Sequence, residues 1–358
     1  MAFLRKPLDL LDLKGDPCEI AFALGRRRRA RIHRRVQFWD ECLQAAYRGR
    51  RDTLRRLEAG FLREARRQCP AYLEELWAMA EGAQLPRAEL FRLNLTELLA
   101  FAEKCTDLIL PFRTPSGRGL LLAHNEDWDP RRNDVFILKA RLPKLEYAVL
   151  AYDGYLPGLS AGINSFGLLH SVNYLRPKDF RLGLPRIFVT RHLVTARNFA
   201  DCQGFLRRTR RAFGQAIHLA QEGRYLGLEL TARSAASLRP RLPAAHTNHY
   251  LAAKLHPLAP GGQPPSLRRL ETARRLLRES WPPGSKAATS GAEARRLARH
   301  ILRDRSGLPW ALWREADSPE EGSATLALVL LGTDRPELEI HRERPGRKSA
   351  IRIRLDRT

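Results

Sequence analysis

The sequence predicts a layered α+β protein, and three observations carry that prediction. Helical periodicity runs to about residue 103, a series of short apolar runs separated by tight turns begins at Cys105, and helices return as a block near residue 185. Helices and strands grouped in blocks point away from a parallel doubly wound sheet, which would alternate them. Taking the elements in order, residues 31–56 and 52–67 place apolar side chains at three- and four-residue intervals, and Pro70 and Pro86 punctuate the helices that follow. The apolar runs at 108–112, 120–123, 135–140, 146–152, 159–163, 168–172, 217–220 and 225–230 read as a meander of strands. Its turns at 116–119, 164–167 and 222–224 carry the Gly, Asn and Ser that tight backbone geometry requires. Further helices are expected at 185–210, 266–279 and 292–303, then a hairpin of 325–332 and 337–342 around Thr333-Asp334-Arg335-Pro336. The Pro- and Gly-rich stretches 256–265 and 282–291 read as surface connections.

A chain of 358 residues, 44% apolar and 28% charged, can bury a sizeable core without metals or disulfides. Its five cysteines, Cys18, Cys42, Cys69, Cys105 and Cys202, are odd in number and lack CxxC spacing, which argues against a disulfide framework or a structural zinc site and favours a reducing compartment. Charge and proline break the first thirty residues before a signal-like apolar core can form, and no stretch reaches the ~18 apolar residues of a spanning helix. The cytoplasm is therefore the expected location, with no membrane partner. The formal charge of +24 comes from 63 basic and 39 acidic residues, spread over the whole chain, and only nine of the basic residues are lysine. The densest run, Arg26 to Arg35, is a candidate polyanion patch, but no aromatic interleaving accompanies it and a solvated helix face is the ordinary reading.

Cys105 begins the first strand of the meander, and the polar cluster His124-Asn125-Glu126-Asp127-Trp128-Asp129-Pro130 lies at the end of the next, so a hairpin brings the two together. A second cluster, His246-Thr247-Asn248-His249, sits where a turn between apolar segments would ordinarily use simpler residues.

These residues, in this order, resemble one family. Cys105-Thr106, Ala123 to Asp127, Gly162 to Leu168 running into Val172-Asn173, and His246 to His249 are similar to the penicillin acyltransferase-like (acyl-coenzyme A:isopenicillin N acyltransferase) branch of the N-terminal nucleophile hydrolases. The opening Leu13 to Ile20, followed by Gly25, resembles the start of that family. The resemblance implies a four-layer αββα sandwich, made as an inactive precursor that cuts itself between Lys104 and Cys105. A helical segment, 1–104, would then become a small subunit and 105–358 the catalytic portion. It implies a cysteine amidohydrolase or acyltransferase with no cofactor and no metal, acting on a small-molecule amide, peptide or acyl thioester.

The chemistry fits that position. A thiol has a reference pKa of ~8.5 and needs a base, and an α-amino group at ~7.7–8.0 can serve. Cleavage would create both on one residue. By the same resemblance Asp127 pairs with the new ammonium, Asn248 supplies an oxyanion donor, Arg314 matches the family's late arginine, and the backbone at Asn173-Tyr174 is a candidate second donor. Asn125 is expected to shape the turn rather than to react. Lys104 departs from the pattern, because the family places glycine, a small residue or an acid before the nucleophile. Trp128, Tyr152, Tyr155 and Tyr174 are candidates for an acyl pocket, although core packing is the usual fate of such rings. His246 and His249 have no liganding neighbour in sequence, so zinc is not expected there. The basic surface favours an acidic group on the substrate, such as a carboxylate or coenzyme A. The competing reading is an uncut, inactive relative that binds nucleic acid or another polyanion.

Overall fold

The computed structural model describes residues 8–99, 105–129, 135–261, 263–281, 284–285, 287–315, 323–345 and 350–356, so Lys104 lies outside the described residues. It contains helices and two sheets. The chain opens with β1 (Leu10–Lys14) and continues through α1 (Pro17–Ala46), α2 (Arg51–Gln68), α3 (Pro70–Ala83) and α4 (Arg87–Leu93). The meander follows as β2 (Thr106–Thr114), β3 (Gly117–Trp128), β4 (Val135–Leu142), β5 (Leu145–Tyr152), β6 (Ala161–Asn164) and β7 (Leu169–Leu175). After α5 (Arg186–Thr195) and α6 (Phe199–Arg208) come β8 (Gly214–Gln221), β9 (Arg224–Leu230), β10 (Ala235–Leu238) and β11 (Ala244–His246). Helices α7 (Pro264–Ser280) and α8 (Gly291–Leu302) precede β12 (Ala324–Gly332), β13 (Glu337–His341) and β14 (Ile351–Arg354).

One sheet has eight strands in the order β1-β4-β5-β6-β7-β8-β9-β10, the other six in the order β11-β2-β3-β12-β13-β14. Strand β3 touches β7, β8 and β9 across the gap between the sheets, while α7 and α8 cover the outer face of the six-stranded sheet and α5 packs on β5, β6 and β7. The turns expected from sequence are present. Gly117, Gly167 and the pair Glu222-Gly223 all take positive φ, where an L side chain is strained and glycine is not.

Three expectations are corrected. The helix read across 31–56 starts earlier and stops sooner: Asp16 caps α1 by accepting from the Cys18 and Glu19 amides, and Gly49 at φ +73° turns the chain before α2. The single helix read over 185–210 is two, because Asn198 accepts from the Asp201 amide and starts α6 afresh. Strands β1, β10, β11 and β14 were not foreseen. They are three to five residues long, and their strand character comes from a neighbour: β1 pairs parallel with β4, Leu10 opposite Ile137 to Lys14 opposite Arg141.

The basic run on α1 is neither a continuous patch nor a uniform solvated face. Arg28 turns inward to a bidentate pair with Asp153 (2.6 and 3.0 Å) and a further bond to Asp9, and the buried Arg35 lies over Trp128, Tyr152 and Tyr155. Arg26, Arg27, Arg29 and Arg34 stay exposed.

Helices α1 and α3 approach closely at two glycines. A Cβ on Gly25 would sit 2.1 Å from the Met79 carbonyl oxygen, and one on Gly82 the same distance from that of Phe22. Gly25→Ala is therefore expected to force the helices apart and cost about 1–3 kcal/mol. Urea unfolding measures this, and a change below about 0.5 kcal/mol, the range of ordinary surface substitutions, would show that the helices can give way.

Candidate active site

Alternation along β2 and β3 decides what surrounds Cys105. Leu108, Leu110, Leu121 and Ala123 pack with α7 and α8, whereas Ile109, Leu120 and Leu122 belong to the core between the sheets. Odd-numbered residues of β2 and even-numbered residues of β3 thus face the other sheet. With Asp107 opposite His124 in register, the side chains of Cys105, Asp107, His124 and Glu126 meet in the space between the sheets.

They form one hydrogen-bonded chain. The Cys105 thiol donates to Glu126 Oε1 at 3.9 Å, and Tyr152, from β5 of the opposite sheet, donates to the same oxygen at 2.7 Å. Glu126 Oε2 faces His124 Nε2 at 3.0 Å, His124 Nδ1 faces Asp107 Oδ1 at 3.1 Å, and the Ser171 hydroxyl of β7 donates to Asp107 at 2.6 Å. All are buried, Cys105 completely. Each ring nitrogen of His124 meets a carboxylate oxygen, an arrangement that suits a doubly protonated imidazolium. Burial alone would disfavour that charge. The Asp107 carboxylate and the hydrogen bonds to Asp107, Cys105 and Glu126 outweigh it and hold the His124 pKa well above its usual value. Burial works against the Asp107 charge too, but His124, with His218 and Ser171 assisting, brings that carboxyl down to about 2.

The opposite face of the same hairpin is organised by an arginine. Arg269 of α7 is fully buried; its Nη1 donates to the Cys105 carbonyl at 2.5 Å and to Thr106 Oγ1 at 2.8 Å, and its Nη2 donates to Asn248 Oδ1 at 2.8 Å. A guanidinium can only donate, so the Asn248 atom facing it must be the oxygen. The Asn248 amide nitrogen then points to the Tyr174 carbonyl at 3.1 Å and keeps a second N–H for another acceptor. Burial and the neighbouring Arg314 draw the Arg269 pKa down to about 9, against the pull of Asp127 and Cys105. Asp127 shares this side of the sheet. Its carboxyl pKa is raised because burial outweighs the attraction of Arg314, whose Nε lies 3.7 Å away, and of Arg269.

Of the residues singled out from sequence, the structure gathers Cys105, Asn248, Asp127 and Arg314 around Arg269. It also puts the Asp127 side chain and the Cys105 sulfur on opposite faces of the sheet. Arg314 is fully buried and donates to Ser323 at 2.9 Å. Asn125 lies within β3 and not in a turn; its amide donates to the Leu302 and Leu312 carbonyls at 2.9 and 2.8 Å, tying β3 to the end of α8 and to the chain beyond it. The Tyr174 backbone presents its carbonyl to Asn248, and Asn173 donates from its side chain to the Thr247 carbonyl at 3.1 Å. Trp128, Tyr152 and Tyr155 pack on one another under Arg35, with ring centroids 5.2–6.4 Å apart, and reach the site through the Tyr152 hydroxyl. Tyr174 lies apart from them, against Phe213 and Arg186. His246 bonds Glu229 at 2.9 Å and His249 bonds Ser266 at 2.8 Å, so the two rings serve different partners. Among the described residues, a group whose spacing could hold a metal ion is Cys105, His124 and Glu126, whose ligand atoms lie within 4.8 Å of one another.

Arg269 had no assigned role from sequence, yet a signal was there. Buried Ser266, Arg269, Leu270, Ala273, Leu276 and Leu277 form the inward stripe of α7, and a charge at such a position needs partners inside.

The matching family model is that of acyl-coenzyme A:6-aminopenicillanic acid acyl-transferase, over residues 112–345. The chain belongs to this family. The matched span begins seven residues after Cys105 and includes Asp127, Asn248, Arg269 and Arg314. The chain is also 26% identical over 309 residues to the beta-alanyl-dopamine/carcinine hydrolase of Drosophila melanogaster, covering 77% of this chain and 77% of that protein. Among solved structures it is similar to the C2A mutant of conjugated bile acid hydrolase from Clostridium perfringens, with a TM-score of 0.48 and 12% identity over 70% of this chain and 92% of that one. The Drosophila relative is named as a hydrolase, and the family's description is that of an acyltransferase. Among the described residues, no helix is long and apolar enough to cross a membrane.

Proposed function

We propose that the protein is a self-processing N-terminal cysteine amidohydrolase or acyltransferase. The precursor cuts itself between Lys104 and Cys105, and the liberated Cys105 attacks an amide or thioester, carries the acyl group on sulfur and passes it to water or an amine. Family membership supports the reaction class. The observation that carries the assignment to Cys105 is Arg269, which grips the carbonyl of Cys105 and the side-chain oxygen of Asn248 at once. That grip fixes the nucleophile's backbone relative to an N–H donor, as stabilisation of a developing oxyanion requires; one such donor is typically worth ~2.7–4 kcal/mol of barrier. In this reading Asp127, held by Arg314 beside the Cys105 end of β3, pairs with the new ammonium. The two sheets with helices outside them form the four-layer αββα sandwich of N-terminal nucleophile hydrolases, with 1–104 as the small subunit and 105–358 as the catalytic one. The hydrolase named for beta-alanyl-dopamine and carcinine supports a small-molecule amide as acyl donor.

Intact mass of the purified protein tests this reading. Two chains of 104 and 254 residues are expected. A single chain of 358 residues under all conditions would remove the mechanism.

A further inference from the structure

In the uncut chain the nitrogen of Cys105 is part of a peptide bond. An amide nitrogen is not a base, so the α-amino group that would serve the finished enzyme cannot activate the thiol for the cut that creates it. The first reaction needs another proton acceptor. We infer that Glu126 is the general base of self-cleavage, aligned by His124 and Asp107, a role distinct from the turnover chemistry and resting on the self-processing reading above.

The side chains are arranged for it. The thiol already donates toward Glu126 Oε1, and the other carboxylate oxygen is held by His124, which Asp107 and Ser171 fix from behind. One oxygen of Glu126 is therefore anchored while the other addresses sulfur. The Tyr152 hydroxyl also binds Oε1 and competes for the same lone pairs. The thiol also lies within reach of His124, but both ring nitrogens face carboxylate oxygens, so the imidazolium has no lone pair to take the thiol proton; it acts through Glu126 as a positioning residue.

The step balances as follows. The thiol proton moves to Glu126 Oε1 as sulfur bonds to the carbonyl carbon of residue 104. The C–N bond to Cys105 breaks, and the departing nitrogen takes the proton from Glu126 to become the α-amine. Water then opens the thioester, leaving a carboxylic acid on residue 104 and the thiol on Cys105. Glu126 ends as it began.

The test follows cleavage of full-length precursor over time by intact mass, for the wild type, Glu126→Gln, Glu126→Asp and Tyr152→Phe. Glu126→Gln keeps the shape and removes the base, and is expected to slow cleavage by about 10²–10⁴-fold. Glu126→Asp restores a carboxylate set further back and should recover part of the rate. Tyr152→Phe removes the competing donor and should cleave at least as fast as wild type, which loss of a merely structural contact would not do. Cleavage of folded Glu126→Gln at the wild-type rate overturns the inference while self-cleavage stands. Should Glu126→Gln fail to fold, slower cleavage by Tyr152→Phe overturns it instead. A wild-type chain that never cuts overturns self-cleavage itself.

Discussion

Replacing Cys105 with alanine is expected to leave one uncut chain with no acyl transfer. No other group in the described site can take the sulfur's place: Glu126 and Asp107 are paired with His124, Thr106 turns its hydroxyl to Arg269, and Tyr152 donates to Glu126. Loss of the nucleophile from a hydrolase costs about 10⁶ in kcat, so residual activity should be undetectable in an ordinary assay. The fold should persist, because alanine removes a single buried sulfur whereas the carbonyl held by Arg269 belongs to the backbone. Intact mass and a thermal melt together check this. Cleavage by the folded alanine variant would place the nucleophile elsewhere, and an unfolded one would assign the sulfur a structural role.

Arg269→Met is the second large effect. Methionine fills much of the same space, but the Cys105 carbonyl, Thr106 Oγ1 and Asn248 Oδ1 lose their donor together, and Asp127 loses one of the two cations that offset its burial. Removing one partner of a buried charged pair costs about 3–5 kcal/mol, because the group left behind remains desolvated. Urea unfolding on the Cys105→Ala background reads this without interference from cleavage. Lysine offers one compact ammonium where a planar fork spans three acceptors, so Arg269→Lys should recover only part of the loss. A cost below about 1 kcal/mol would mean that solvent or Arg314 takes over the role, which is the scale of an exposed pair.

Much of the scaffold was legible because its signals are local. Apolar runs separated by Gly-rich turns mark β2 to β9, and the family resemblance offered Cys105, Asp127, Asn248 and Arg314 as candidates. What stayed hidden depends on register. Asp107, His124 and Glu126 are polar residues in otherwise apolar strands, and their alternate positions show that they share a face. Only the pairing of Asp107 with His124, together with Tyr152 and Ser171 from the facing sheet, turns three scattered side chains into a chain that ends at sulfur. Arg269 was hidden for a different reason. It is one of 54 arginines, and the three acceptors that distinguish it are supplied by residues 21 to 164 positions away. Strand β1 was missed because its partner, β4, lies well over a hundred residues downstream.

The parallel pairing of β1 with β4 bears on what a cut at residue 105 could accomplish. The segment before it contributes a sheet strand, buries Arg28 against Asp153 and Glu75 against Arg191, and threads Asn94 between the backbones of Gly154 and Leu156. Severing one peptide bond leaves all of these intact. The two polypeptides would remain a single interlocked body that neither half could leave without dismantling the other, so scission would unmask a chain end at the nucleophile without dispatching a propeptide.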